Sequence, residues 1–286
     1  MIAPAIRRTL NLHAASEPGR PAHISAASGL ARSGESLIVL ADDENHLGIF
    51  PCQGSSAGSL VRIAVGTLPL KAKPRKREKP DFESIVCVPP FAGYPRGALL
   101  ALGSCSRPNR CRAFVLGFDA RGALEGTPRL LDLTGLREAL EPRFGCLNVE
   151  GAVVLGEELV LLQRGNKGDR RNARIRLRWD CVAAAIGGDL EAGSRALIDI
   201  HEHDLGETCG VPYGFTDGAA LQDGGMVFTA VAEDTDDSYS DGGCAGSAVG
   251  ILDAPGRSPS SSPSTEIRRS RVSTRRSTAI ESTCCS

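Results

Sequence analysis

Ser28-Gly29-Leu30-Ala31, Glu83-Ser84-Ile85-Val86, Glu150-Gly151-Ala152-Val153 and Asp217-Gly218-Ala219-Ala220 repeat one phrase. It is a polar or acidic residue, a tiny one, then two apolar ones. Each phrase begins roughly 60 residues after the last, a period that belongs to arrays of short strands such as β-propellers. A run rich in Leu, Val and Ala follows each phrase, at 37–41, 99–103, 159–163 and 226–231. Working outward, four strand-rich units emerge: 25–65, 80–135, 146–200 and 212–253. In the third, Arg174, Arg176 and Arg178 alternate with Ile175, Leu177 and Trp179, the period of two of a strand with one buried face. The pattern predicts an all-β propeller of short antiparallel strands. Five blades are expected, with six as the alternative.

The 286 residues carry a formal net charge of −1, which gives no general pull towards nucleic acid or membrane. No apolar run is long enough to span a bilayer. The first residues, Met1-Ile2-Ala3-Pro4, lead into Arg7-Arg8 without the apolar stretch of a secretory signal, so the expected location is cytoplasmic. The 10 cysteines form no Cys-x-x-Cys pair and show no zinc spacing, and they read as small buried thiols. Cys105 and Cys111 flank a turn and are placed to meet across a hairpin. A helical turn is expected at 133–140, with Thr134 as its cap. Residues 71–80, a basic run broken by Pro74, read as a solvated loop between blades or as a site for a phosphorylated or carboxylated ligand. With no interleaved aromatics, the run does not suggest nucleic-acid stacking.

From about residue 254 the composition turns to Ser, Arg and Thr, which separates a propeller over 1–253 from a disordered tail over 254–286. Serine codons of the TCN type, read two bases out of register, encode Phe, Leu, Ile or Val. Read in that way with GC-rich codons, the tail recovers period-two apolar residues and a Glu-Gly-Val-His phrase whose Glu-Gly falls at Arg271-Val272. A fifth repeat lost to a frameshift is therefore the expectation. Residues 6–12 would be the strand that closes the ring.

First strands of propeller blades line the central axis, so Glu83, Glu150 and Asp217 are expected there, with Ser28 in the equivalent place. Three converging carboxylates either hold a hard cation such as calcium or cap backbone amides between blades. The loops after the apolar runs should open at one mouth and supply a ligand site from Asp43, Glu44, Asn45, Arg164, Asn166 and Glu233. Arg164 among acidic neighbours is suited to fixing an anion. His201 and His203 share one strand face, as metal ligands or as surface decoration. No nucleophile elbow, phosphate-binding glycine loop or zincin motif is present.

Asn148-Val149-Glu150-Gly151-Ala152, with Leu162-Gln163-Arg164-Gly165-Asn166 after it, resembles the bacterial phytase-like (esterase-like phytase) propeller families. Leu40-Ala41-Asp42-Asp43-Glu44-Asn45 is similar to their first blade and Pro80-Asp81-Phe82-Glu83-Ser84 to their second. The resemblance implies a propeller with an acidic channel and hydrolysis of a phosphoester. The dense calcium-binding aspartate clusters of true phytases are missing here. Two functions follow as expectations. One is a binding propeller for a small polar ligand or a protein loop at the channel mouth. The other is a metal-assisted hydrolase of phosphoesters or lactones, with calcium as its cofactor.

Overall fold

The computed structural model describes residues 8–165, 169–234, 243–253 and 266–270. Each apolar run becomes the second strand of an antiparallel meander, its β-branched and leucine side chains packing against a neighbouring sheet on at least one face. Sheet one is β1 (Ala27–Ser33), β2 (Ser36–Ala41), β3 (His46–Pro51) and β4 (Ser59–Arg62). After helix α1 (Ala72–Glu78) comes sheet two, made of β5 (Phe82–Val88), β6 (Ala98–Gly103), β7 (Arg112–Phe118) and β8 (Leu124–Asp132). Helix α2 (Thr134–Leu140) leads to sheet three, β9 (Val149–Leu155), β10 (Glu158–Gln163), β11 (Asn172–Arg178) and β12 (Leu197–His203). Helices α3 (Trp179–Gly187) and α4 (Leu190–Ser194) interrupt that sheet between β11 and β12. A small hairpin, β13 (Glu207–Thr208) and β14 (Val211–Pro212), precedes sheet four. Sheet four is β15 (Gly214–Ala220), β16 (Met226–Asp234), β17 (Gly243–Leu252) and β18 (Glu266–Ser270).

The arrangement is a four-bladed propeller, not the five blades expected. The fifth phrase exists only in the shifted frame. In the chain as it stands, β18 pairs with β17 and completes sheet four. That strand lies within the stretch that composition had set apart as a tail. Residues 8–12, the described part of the supposed closing strand, also go elsewhere. Asn11 bridges His23, and Leu12 runs parallel to Gly58 beside sheet one. The basic run at 71–80 is not a loop throughout but contains α1, with Pro74 tolerated in its first turn. Thr134 does not cap α2. Asp132 Oδ1 accepts from the Thr134 N–H at 2.8 Å and from its hydroxyl at 2.6 Å.

Adjacent sheets pack face to face. Ile38 and Leu40 of sheet one meet Ile85, Leu99, Ala101 and Phe114 of sheet two. Leu100 and Leu102 of sheet two meet Ala152, Leu159 and Leu161 of sheet three. Val153, Val160 and Leu162 of sheet three meet Phe215, Met226 and Phe228 of sheet four. Each fully buried side chain of this size contributes roughly 1.5–3 kcal/mol. The remaining face of sheet one is covered by the N-terminal segment, where Leu10, Leu12 and Ile24 pack on Leu37, Val39 and Phe50. Among the described residues no such core joins sheet four to sheet one.

Candidate site at the channel mouth

All four first strands carry a β-bulge at the same place. The irregularity falls between Ala27 and Gly29, between Phe82 and Ser84, at Glu150 opposite Leu162 and Gln163, and between Phe215 and Asp217. The bulged residues are therefore Ser28, Glu83, Glu150 and Thr216. A bulge re-aims one side chain out of the sheet's alternation. The residue after it is tiny because the next blade presses close. A Cβ on Gly29 would lie 2.7 Å from Ile85 Cγ2, and one on Gly151 would lie 3.2 Å from the Asp217 Cα.

Asp217 thus occupies the tiny position, one residue beyond Glu83 and Glu150. The phrase in the fourth repeat reads one residue late, and a one-residue slip changes the face. The Asp217 carboxylate accepts from the Gly218 N–H at 2.7 Å and from the Leu30 N–H of sheet one. Burial pushes its pKa up to about 7, against these two hydrogen bonds. Glu83 is raised well above the usual carboxylate range by burial, and the charges of Glu150, Asp81 and Asp42 add to it. Burial also raises Glu150, opposed by Arg164 and by the Asn148 amide, which donates to its Oε1 at 2.8 Å. Ser28 donates to the Phe82 carbonyl at 2.8 Å, a link between blades.

Where the second strands end, backbone bonds stitch one blade to the next. The Asp42 carbonyl accepts from Asp81 N–H at 3.1 Å, Asp81 from Ser104 at 3.0 Å and Ser104 from Val149 at 2.8 Å. Asn172 extends the stitching to sheet four, donating to the Tyr213 carbonyl at 2.8 Å. Charged groups gather along this line. Lys79, just beyond α1, pairs with Asp42 and lies 2.7 Å from Asp81 Oδ1 and 4.0 Å from Glu83 Oε1. Burial disfavours its ammonium, but Asp81 and Asp42 outweigh burial and raise the pKa further. Arg110 pairs with Asp81 at 2.9 Å. Arg164 joins Glu150 at 3.4 Å to Glu233 at 2.9 Å, across sheets three and four.

The expected ligand residues do not form one set. Asp43 and Glu44 are taken up by Arg20 and by the buried Arg75 of α1, at 2.6–3.1 Å. Asn45 is equally committed, donating to the Gly66 carbonyl at 3.2 Å. Arg164 and Glu233 do come together, beside Glu150. Asn166 lies outside the described residues. Of the expected metal set, Glu83 and Glu150 are neighbours at the axis while Asp217 is turned to the seam with sheet one. Carboxylate oxygens of Asp42, Asp81 and Glu83 lie within 4.8 Å of one another instead. The Lys79 ammonium stands among them and offsets part of their charge. Sequence reasoning missed Lys79, Asp81, Asp42 and Arg110. The one local signal for Lys79 was Asp81 and Glu83 directly after the basic run, while Asp42 lies in a distant loop.

The histidine pair is accounted for locally. Arg174 Nε donates to His203 Nε2 at 2.9 Å, and burial followed by the Arg174 charge lowers His203 to about 3. Cys105 and Cys111 are buried free thiols in contact with each other, and burial raises the Cys105 thiol. No helix among the described residues is long and apolar enough to cross a membrane.

The model of a family of unknown function, DUF6929, matches residues 23–282, and the chain belongs to that family. No curated protein matches it. Among solved structures, an ACO/RPE65 chimera is similar at 11% identity, over 79% of this chain and 45% of that one, with a TM-score of 0.32. Apo AztD from Citrobacter koseri is similar at 11% identity, over 79% of this chain and 47% of its own, with a TM-score of 0.26. The chain spans less than half the length of either.

Proposed function

Taking the chain as a member of this family, we propose that it is a binding propeller whose channel mouth takes a small polar ligand bearing a cationic amine. The observation that carries this reading is uncompensated negative charge at the axis. Lys79 is shared between Asp42 and Asp81, Asp81 also takes Arg110, Arg164 is shared between Glu150 and Glu233, and Glu83 has only the edge of Lys79 at 4.0 Å. A ligand ammonium between Glu83 and Glu150 would give these carboxylates the charge partner that their burial calls for. Arg164 is placed to meet an acidic or hydroxyl group on the same ligand.

A second reading is a phytase-like, metal-assisted hydrolase, favoured by the convergence of Asp42, Asp81 and Glu83 oxygens. Calcium would have to displace the Lys79 ammonium, which makes this the weaker reading. Thermal shift with ethanolamine, glycine, inorganic phosphate and calcium chloride separates the two. The binding reading expects ethanolamine or glycine to raise the melting temperature, and Glu83→Gln to abolish the rise. A rise with calcium that Glu83→Gln removes would replace it with the hydrolase reading. A response to phosphate alone would sink both.

A further inference from the structure

The row of side chains that sheet two turns to the next blade is apolar throughout, while the matching row of sheet three becomes polar beyond its second strand. In sheet two the row runs through Leu102, Ala113 and Leu131, from β6 to β8. Leu102 and Ala113 are buried in the core shared with sheet three, and Leu131 packs against it. In sheet three the row runs through Leu162, Arg174 and His201. Leu162 is buried against sheet four, Arg174 is half-buried and His201 is exposed. His203, two residues along β12, meets Phe215 of sheet four edge-on with ring centroids 6.0 Å apart. The polar row therefore lies in the outer part of the seam between sheets three and four, away from the axis.

Arg174 has no carboxylate partner there. Of the other arginines on β11, Arg176 holds Glu158 at 2.6 Å and Asp199 at 2.7 Å, and Arg178 holds Asp180 at 2.8 Å. Arg174 makes one side-chain hydrogen bond among the described residues, from Nε to His203 Nε2 at 2.9 Å. That acceptor is a neutral imidazole, so the bond orients the guanidinium without neutralising it. Burial and the charge of Arg176 both work against the Arg174 cation, and the carboxylates that support it, Asp199 and Glu158, are already bound to Arg176. Across the seam, Phe228, Ala230 and Ala248 of sheet four are apolar, and the backbone position of β18 in register with Ala248 is Arg269. With Nε occupied, the Nη1–Nη2 edge of Arg174 remains, and it keeps access to solvent. Its two parallel N–H donors match the two oxygens of a carboxylate. His201, its ring centroid 4.7 Å from that of His203, stands beside this edge. A dianion such as phosphate would meet Asp199 and Glu158 with twice the charge, so the singly charged planar group is favoured.

We propose that the outer seam between sheets three and four is a second binding site, which takes a small carboxylate on the Nη1–Nη2 edge of Arg174 with His201 beside it. The site is separate from the axial cluster and does not depend on an amine binding there. The test is a titration of the full chain with sodium acetate, followed through the imidazole proton signals of His201 and His203, with sodium chloride at equal ionic strength as the reference. Both signals are expected to shift and saturate with acetate. Arg174→Lys, which keeps the charge but not the fork, should need roughly tenfold more acetate, and Arg174→Gln should abolish saturation. Should Arg174→Gln fail to fold, Arg174→Lys alone decides. Shifts that chloride reproduces, or saturation that Arg174→Lys leaves unchanged, overturn the proposal. Inorganic phosphate saturating at a lower concentration than acetate overturns the carboxylate assignment.

Discussion

Lys79 shows how much one side chain decides at the mouth. Its ammonium serves three carboxylates at once, and it is largely buried with them. Removing one partner of such a cluster leaves charge buried without compensation, a loss of about 3–5 kcal/mol. Lys79→Ala should therefore destabilise strongly at pH 8 in urea melts and much less at pH 5. The sign follows from the raised carboxylates. Asp42 and Glu83 beside Lys79, and Glu150 and Asp217 elsewhere in the ring, hold protons in the folded state that the unfolded chain releases nearer pH 4. Stability is then fully present below that value and falls as pH rises towards about 7, the folded pKa of Asp217. The variant should steepen this fall, and a flat profile for both proteins would contradict the electrostatic account. Glu83 and Glu150 were legible at this scale because the repeat marks them. Lys79 was not, because its partners come from Asp42 and Asp81, on either side of a helix that Pro74 disguised.

At the scale of the element, equivalent positions in different blades carry different loads. Leu102 and Leu162 are buried between sheets, and their truncation to Ala should cost about 2–5 kcal/mol each. Val249→Ala, at a partly exposed position, should cost less than about 1 kcal/mol. Equal losses in chemical denaturation would mean that the fourth seam is filled. The four sheets were readable because each apolar run alternates faces and ends at a polar turn. Register in the last sheet was not. Asp217-Gly218 imitates the phrase of Glu150-Gly151, and only strand pairing reveals that the bulge falls one residue earlier, at Thr216. The propeller class thus follows from local pattern, while the aim of each axial side chain depends on pairing between strands.

For the whole molecule, four sheets joined among the described residues by three cores imply uneven stability around the ring. The blade count could not come from the phrase alone, since the expected fifth copy was read from a shifted frame of the tail and not from these residues. Sheet four is held on one side by Phe215, Met226 and Phe228 and on the other by the Asp217 contact to Leu30. Such a unit should open on its own before the rest unfolds. Native-state hydrogen exchange tests this most directly. Amides of β15 to β17 are predicted to exchange roughly tenfold or more faster than those of β6 and β10, through an opening that leaves sheets two and three protected. Uniform protection of all four sheets, lost in one global step, would contradict the open seam.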